Sequence, residues 1–148
     1  MKLGHLSFTC INYDEMISFY KEILGFREKF VLYYDDIGRK VEGDKRWITY
    51  LEQEDGFLIE LFNGIDAKRK QLPDQSTYNY QHFALVTEDI FRLKEYLIEK
   101  NVVIDRGPDL GIDQTWQMWS HDPDGNQIEF MQYTDKSFQL YGRAEENA

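Results

Sequence analysis

The chain has 148 residues, the length of one ordinary domain or of two fused half-size modules, and 42% hydrophobic against 30% charged residues argues for a packed globule over disorder. Lys and Arg number 17 against 27 Asp and Glu, a formal net charge of −10, which argues against nucleic acid or an anionic membrane as a partner. No apolar run reaches the roughly 18 residues of a membrane span, no secretory leader is visible, and the single cysteine, Cys10, forms no internal disulfide; a cytoplasmic protein is expected.

Residues 3–11 read as a strand, with Leu6, Phe8 and Cys10 on one face and His5, Ser7 and Thr9 on the other. Asn12 offers a helix N-cap, with Glu15 completing a capping-box-like pattern, and Ile17, Tyr20 and Leu24 follow helical spacing up to Gly25. Phe26 to Tyr34 resumes as a strand, and Asp35 to Lys45, rich in charge, reads as an exposed loop; Arg39, Lys40, Lys45 and Arg46, in or beside it, are read as solvated, with carboxylate binding as the alternative. Arg46 to Glu52 and Phe57 to Phe62 are two strands around a Glu54-Asp55-Gly56 turn, followed by a polar linker over 64–78 that contains Pro73. The second half repeats this order. Tyr80 to Val86 is a strand, and Thr87 to Lys100 is a helix with Ile90, Leu93 and Leu97 on one face. Strands follow near 102–106, 114–121 and 127–133, separated by Gly107-Pro108 and by Asp122-Pro123-Asp124-Gly125, before a polar tail. The expected fold is α+β: two βαβββ modules, about 1–64 and 78–134, forming a curved mixed sheet within a single domain over 1–134, with 135–148 as a C-terminal tail.

The repeat extends to residues. Asp55-Gly56-Phe57-Leu58-Ile59-Glu60 and Asp124-Gly125-Asn126-Gln127-Ile128-Glu129 both read Asp-Gly-x-x-Ile-Glu, while His5 and His82 each stand 15 residues before a helical apolar residue, Tyr20 and Leu97. Each half thus has a His on its first strand and a Glu on its last. Leu6, Phe83 and the apolar neighbours of both glutamates take the helix-facing side, which leaves His5, Glu60, His82 and Glu129 on the opposite, concave face. Two imidazoles and two carboxylates suit one divalent ion, Zn, Ni, Co, Mn or Fe, with positions left for water or a small-molecule substrate.

Phe19-Tyr20-Lys21-Glu22-Ile23-Leu24-Gly25-Phe26 and Asp122-Pro123-Asp124-Gly125-Asn126-Gln127-Ile128-Glu129 resemble signatures of the vicinal-oxygen-chelate superfamily, also called the glyoxalase, bleomycin-resistance and dioxygenase superfamily, over roughly residues 3–134. His5, Glu60, His82 and Glu129 resemble, in type and order, the metal ligands of glyoxalase I (lactoylglutathione lyase). The resemblance implies isomerisation of the thiohemiacetal of a 2-oxoaldehyde by proton transfer through an enediolate, with Glu129 as main base and Glu60 as ligand and second acid or base. It also implies a homodimer. Ring-cleaving dioxygenases and metal-free binding proteins of the same superfamily are the alternatives. Thr9 stands where glyoxalase I commonly has an Arg that contacts the glutathione carboxylate, and Gly64 where bacterial members often have Asn, which points to another thiol or another substrate.

Other positions carry weaker expectations. Cys10 is read as a packed core thiol, and His121 as a turn or surface residue. Ser7, Thr9 and Tyr50 are candidate polar contacts to substrate, Trp116 and Met118 candidate cavity walls, and Glu145 and Glu146 have no assigned role.

Overall fold

The computed structural model describes residues 3–65 and 80–143, so the linker from residue 66 on and the terminal Glu145 and Glu146 lie outside the described residues. The chain divides into two compact units, Met1–Leu72 and Pro73–Ala148. The first contains β1 (His5–Cys10), α1 (Tyr13–Ser18), β2 (Arg27–Tyr33), β3 (Arg46–Glu52) and β4 (Leu58–Asn63). Its sheet runs β1-β4-β3-β2, with β1 parallel to β4 and the other pairs antiparallel. The second contains β5 (Phe83–Val86), α2 (Ile90–Glu99), β6 (Ile104–Leu110), β7 (Trp116–His121), β8 (Gln127–Gln132) and the short α3 (Phe138–Tyr141). Its sheet order, β5-β8-β7-β6, repeats that of the first unit, again with one parallel pair. Two βαβββ modules with mixed sheets are the observed α+β architecture.

In each unit the apolar side of the sheet carries the helix. Cys10, Met16, Tyr20, Leu51, Ile59 and Leu61 are fully buried in the first, and Ile90, Leu97, Met118 and Ile128 in the second. Phe8, Phe19 and Phe26 surround Tyr20 with ring centroids 6.4, 5.3 and 5.5 Å away, so the helix is anchored by aromatic packing.

The first helix departs from its expected form at both ends. Asn12 makes no side-chain cap, because its backbone (φ −103°, ψ 67°) is not in the extended conformation that aims a capping oxygen at the first turn. Phe19–Ile23 then widens into a π-turn, with the Leu24 N–H on the Phe19 carbonyl at 3.1 Å. Phe19 and Tyr20, three and four residues after Met16, are both buried on the helix's core face. The second helix starts three residues later than Thr87: the Asp89 carboxylate accepts from the Phe91 and Arg92 N–H groups and sets the boundary.

Two further boundaries move. Gly107-Pro108 does not end β6 but lies inside it, where the register slips between Arg106 and Asp109 and Gly107 takes φ +90°. The start of the tail is tied down: Ser137 is fully buried and accepts from the Thr115 hydroxyl at 3.0 Å and the Thr134 N–H at 2.8 Å, while the Phe138 N–H donates to the Asp113 carbonyl at 2.8 Å.

Candidate functional site

In the first unit β4 is central, so its side chains meet neighbours on both sides. The register sets Ser7 opposite Glu60 on one side and Tyr50 opposite it on the other. This row ends at Phe30, opposite Tyr50 and stacked on its ring at 4.1 Å. His5, one pleat before Ser7, brings Nε2 to 3.4 Å from Glu60 Oε2. The Ser7 hydroxyl donates to Oε2, and the Tyr50 hydroxyl also donates to this carboxylate. Glu60 is only 7% exposed, and burial alone would push its carboxyl up. The hydrogen bonds from Ser7 and Tyr50 and the nearby His5 outweigh burial and hold it below its ordinary value. The same contact pushes the Tyr50 phenol up to about 12.

The second unit repeats the row with different chemistry. Ala84 and Trp119 flank Glu129 in register, and Arg106 stands opposite Trp119 where the first unit has Phe30. His82 Nε2 lies 3.1 Å from Glu129 Oε2. His82 immediately precedes β5 rather than lying on it, because pairing with β8 begins at Phe83 opposite Ile128. Burial is the dominant influence on Glu129 and raises its carboxyl above the ordinary value, although His82 pulls it down. The Arg106 guanidinium lies 5.3 Å over the Trp119 ring, and the His82 ring meets Trp119 edge-on at 4.6 Å. Gln81, His82, Asp105, Arg106, Trp119 and Gln127 line a cavity of about 300 Å³.

The structure therefore brings His5 to Glu60 and His82 to Glu129; among the described residues no three His, Cys, Asp or Glu side chains converge. Each pair fits half of a divalent-metal site. Two ligand atoms at about 2.1 Å from one ion and about 90° apart are about 3.0 Å from each other, and at tetrahedral angles about 3.4 Å. The observed 3.4 and 3.1 Å separations are of that size, and nitrogen and carboxylate oxygen are the donors such ions take.

Other candidates fall elsewhere. Ser7 and Tyr50 are engaged with Glu60, and Thr9 is exposed on the same face. Trp116 and Met118 sit on the face opposite Glu129, Met118 fully buried and Trp116 edge-on to Phe91 of α2 at 5.1 Å; neither lines the cavity. Trp119 does, and it is the neighbour of Glu129 that sequence reading passed over. The signal was there: alternation from Ser120, or from His121 back across the Asp-Pro-Asp-Gly turn, fixes the face once the register of that turn is known. Cys10 is buried and free, and His121 Nδ1 lies 2.9 Å from Asp105 Oδ2 on a half-exposed strand end. Arg46 pairs with Asp14 and Asp44, and Arg39 lies over Tyr34.

A family model described as the Glyoxalase/Bleomycin resistance protein/Dioxygenase superfamily matches residues 2–130. Among solved structures, a glyoxalase/dioxygenase from Nostoc punctiforme superposes with a TM-score of 0.68 at 18% identity, covering 90% of this chain and 92% of that one. The genomically encoded fosfomycin resistance protein FosX of Listeria monocytogenes gives 0.65 at 14%, covering 93% and 97%. A lactoylglutathione lyase from Agrobacterium tumefaciens gives 0.60 at 14%, covering 88% and 92%. No curated protein sequence matches. At these identities the structures establish a shared fold.

Proposed function

The chain belongs to the glyoxalase/bleomycin resistance/dioxygenase superfamily, and on that premise we propose that it is a divalent-metal lyase of the glyoxalase I kind, acting on a thiohemiacetal of a 2-oxoaldehyde. The observation that carries the reading is the duplicated His–Glu pair: equivalent positions of two modules, each with its imidazole nitrogen at metal-sharing distance from its carboxylate. His5, Glu60, His82 and Glu129 are the proposed ligands of one ion, Zn, Ni, Co, Mn or Fe. When bound, the ion supplies a Lewis acid for the negative charge that develops on the substrate oxygen.

The two carboxylates divide the remaining work. Glu129, with a raised carboxyl and His82 as its ion-pair partner among the described residues, is the base. It takes the proton as the carbon–hydrogen bond breaks, the bonding electrons moving toward the neighbouring carbonyl, and returns it to the adjacent carbon. No net oxidation occurs and no other reactant is consumed. Glu60, held charged by Ser7, Tyr50 and His5, serves as ligand. His5 and His82 hold the ion as neutral imidazoles. A fixed fourth donor at Glu60 favours this reading over ring-cleaving dioxygenases, which resemble a two-His, one-Glu set. Arg106, uncommitted to any ion pair among the described residues and lining the cavity beside His82, favours a substrate with an anionic end.

The test is metal analysis of chelator-stripped and reconstituted protein, followed by assay with methylglyoxal and a panel of thiols. About one divalent ion per chain is expected, from one set of four ligands, with its loss when His5 and His82 are both replaced by Ala, and isomerisation with at least one thiol. Full occupancy in the double variant would refute the site. Retained metal without turnover on any thiol would remove the lyase reading.

A further inference from the structure

The internal duplication supplies a control within the same molecule. Glu60 and Glu129 sit at equivalent positions of equivalent central strands, yet their cross-strand neighbours differ. Glu60 lies between Ser7 and Tyr50, both of which donate a hydroxyl to its carboxylate. Glu129 lies between Ala84, which has no donor, and Trp119, whose indole Nε1 is buried without a hydrogen-bond partner among the described residues and so does not reach it. The fold does not demand the hydroxyls, since the second module forms the same strand row without them.

We infer that Ser7 and Tyr50 are positioning residues that clamp Glu60 into one orientation as a permanent metal ligand, and that the absence of such a clamp at Ala84 and Trp119 leaves Glu129 free to move as the proton carrier. Two hydroxyls on one carboxylate fix both its rotation and its reach, and so remove orientations that a ligand would otherwise lose on binding. A carboxylate that must leave and rejoin its ligand position gains nothing from that restraint. The difference between the two rows therefore separates ligand from base, where their shared Asp-Gly-x-x-Ile-Glu sequence does not. The inference rests on the proposed metal site but adds to it, because it assigns roles to two residues outside the ligand set and to one missing hydroxyl.

Zn²⁺ affinity of the full chain, measured by competition with a chromophoric chelator, is the primary readout. Ser7→Ala and Tyr50→Phe are each expected to weaken Zn²⁺ binding about tenfold or more, as loss of a hydrogen bond to a ligand does. Ser7→Thr, which keeps the hydroxyl, is expected to restore it. Ala84→Ser, at an exposed position with room for an oxygen, places a donor beside Glu129 and is expected to tighten Zn²⁺ binding. A general loss of stability would not produce that restoration or that reversal of sign. Zn²⁺ affinities of Ser7→Ala and Tyr50→Phe within twofold of the parent would overturn the inference. If the parent binds no Zn²⁺, the functional reading fails on its own. The clamp is then decided in metal-free protein by the hydroxyl proton of Tyr50: a slowly exchanging, downfield resonance lost in Glu60→Ala sustains it, and its absence from the parent overturns it.

Discussion

Asp122 begins the turn between β7 and β8, the two strands that carry Trp119 and Glu129, and replacing it by Ala tests how that hairpin is held. Asp122 is 1% exposed, and its carboxylate accepts from the Asp124 N–H at 3.1 Å, the Asn126 N–H at 2.9 Å and the Asn126 side-chain amide at 2.9 Å. Hydrogen bonds to a charged acceptor contribute about 1.5–3 kcal/mol each, and water recovers part of that at the half-buried donors Asp124 and Asn126, so Asp122→Ala should cost about 3 kcal/mol. For a chain of this length that corresponds to a fall in Tm of about 6–12 °C. The other module contains the control. Gln53 stands at the equivalent place, and its backbone makes the same two turn hydrogen bonds, to Phe57 and Gly56 at 2.9 Å, without a side-chain carboxylate. Gln53→Ala should therefore change stability by no more than about 0.5 kcal/mol. Calorimetry and urea unfolding of both variants are the assays. Equal losses at the two positions, or a loss below about 1 kcal/mol for Asp122→Ala, would show that the backbone turn and not the carboxylate holds the hairpin.

Three other outcomes are expected. The Tyr13 phenol, buried and 2.6 Å from the Thr49 hydroxyl, is pushed up to about 12, chiefly by burial, so its contribution to stability is complete below pH 10 and is lost as pH rises to 12; unfolding followed over that range should show a fall of about 2 kcal/mol that Tyr13→Phe abolishes. In metal-free protein the phenolate absorbance of Tyr50 should emerge near pH 12 and move back toward 10 in Glu60→Gln, because the neighbouring carboxylate is what opposes its ionisation. Gly107→Ala should destabilise by about 2–3 kcal/mol in thermal unfolding, since its Cβ would lie 2.5 Å from the Gln117 carbonyl oxygen and 3.0 Å from the Met118 Cα at a positive φ.

Much of the fold is legible in the sequence because its two halves check each other. Strand alternation at His5-Leu6-Ser7-Phe8 places His5 and Ser7 on the face away from the helix, and the structure has them there. The repeated Asp-Gly-x-x-Ile-Glu locates both turns, with Gly56 and Gly125 at φ +85° and +86°, and both carboxylates. Less legible is whatever depends on tertiary contact. The widened turn at Phe19–Ile23 leaves no mark in the apolar spacing, and the bulge at Gly107 belongs to the slip of β6 against β7. The buried role of Ser137 is invisible in a polar tail, because its partners, Thr115 and the Gln114 carbonyl, are more than 20 residues away in sequence.

The positions that differ between the modules gather on the face away from the helix. A duplicated fold must keep what closes the sheet and packs the helix, so Ile59 and Ile128, or Leu61 and Phe130, remain apolar in both halves. It is under no such demand on the opposite face, where the row Ser7–Glu60–Tyr50–Phe30 becomes Ala84–Glu129–Trp119–Arg106. Only the glutamate is common to both rows. Sequence periodicity alone could propose that glutamate, but not its neighbours, since they come from strands whose pairing register is set by turns and bulges. Once the register is known, the first row reads as a held carboxylate beside an aromatic wall. The second reads as a carboxylate raised by burial, beside a cation that lies over an indole. Under the proposed lyase reading, the proton-carrying and anion-binding ends belong to the second module and the fixed ligand to the first, which is what the Zn²⁺ affinities of Ser7→Ala, Tyr50→Phe and Ala84→Ser test.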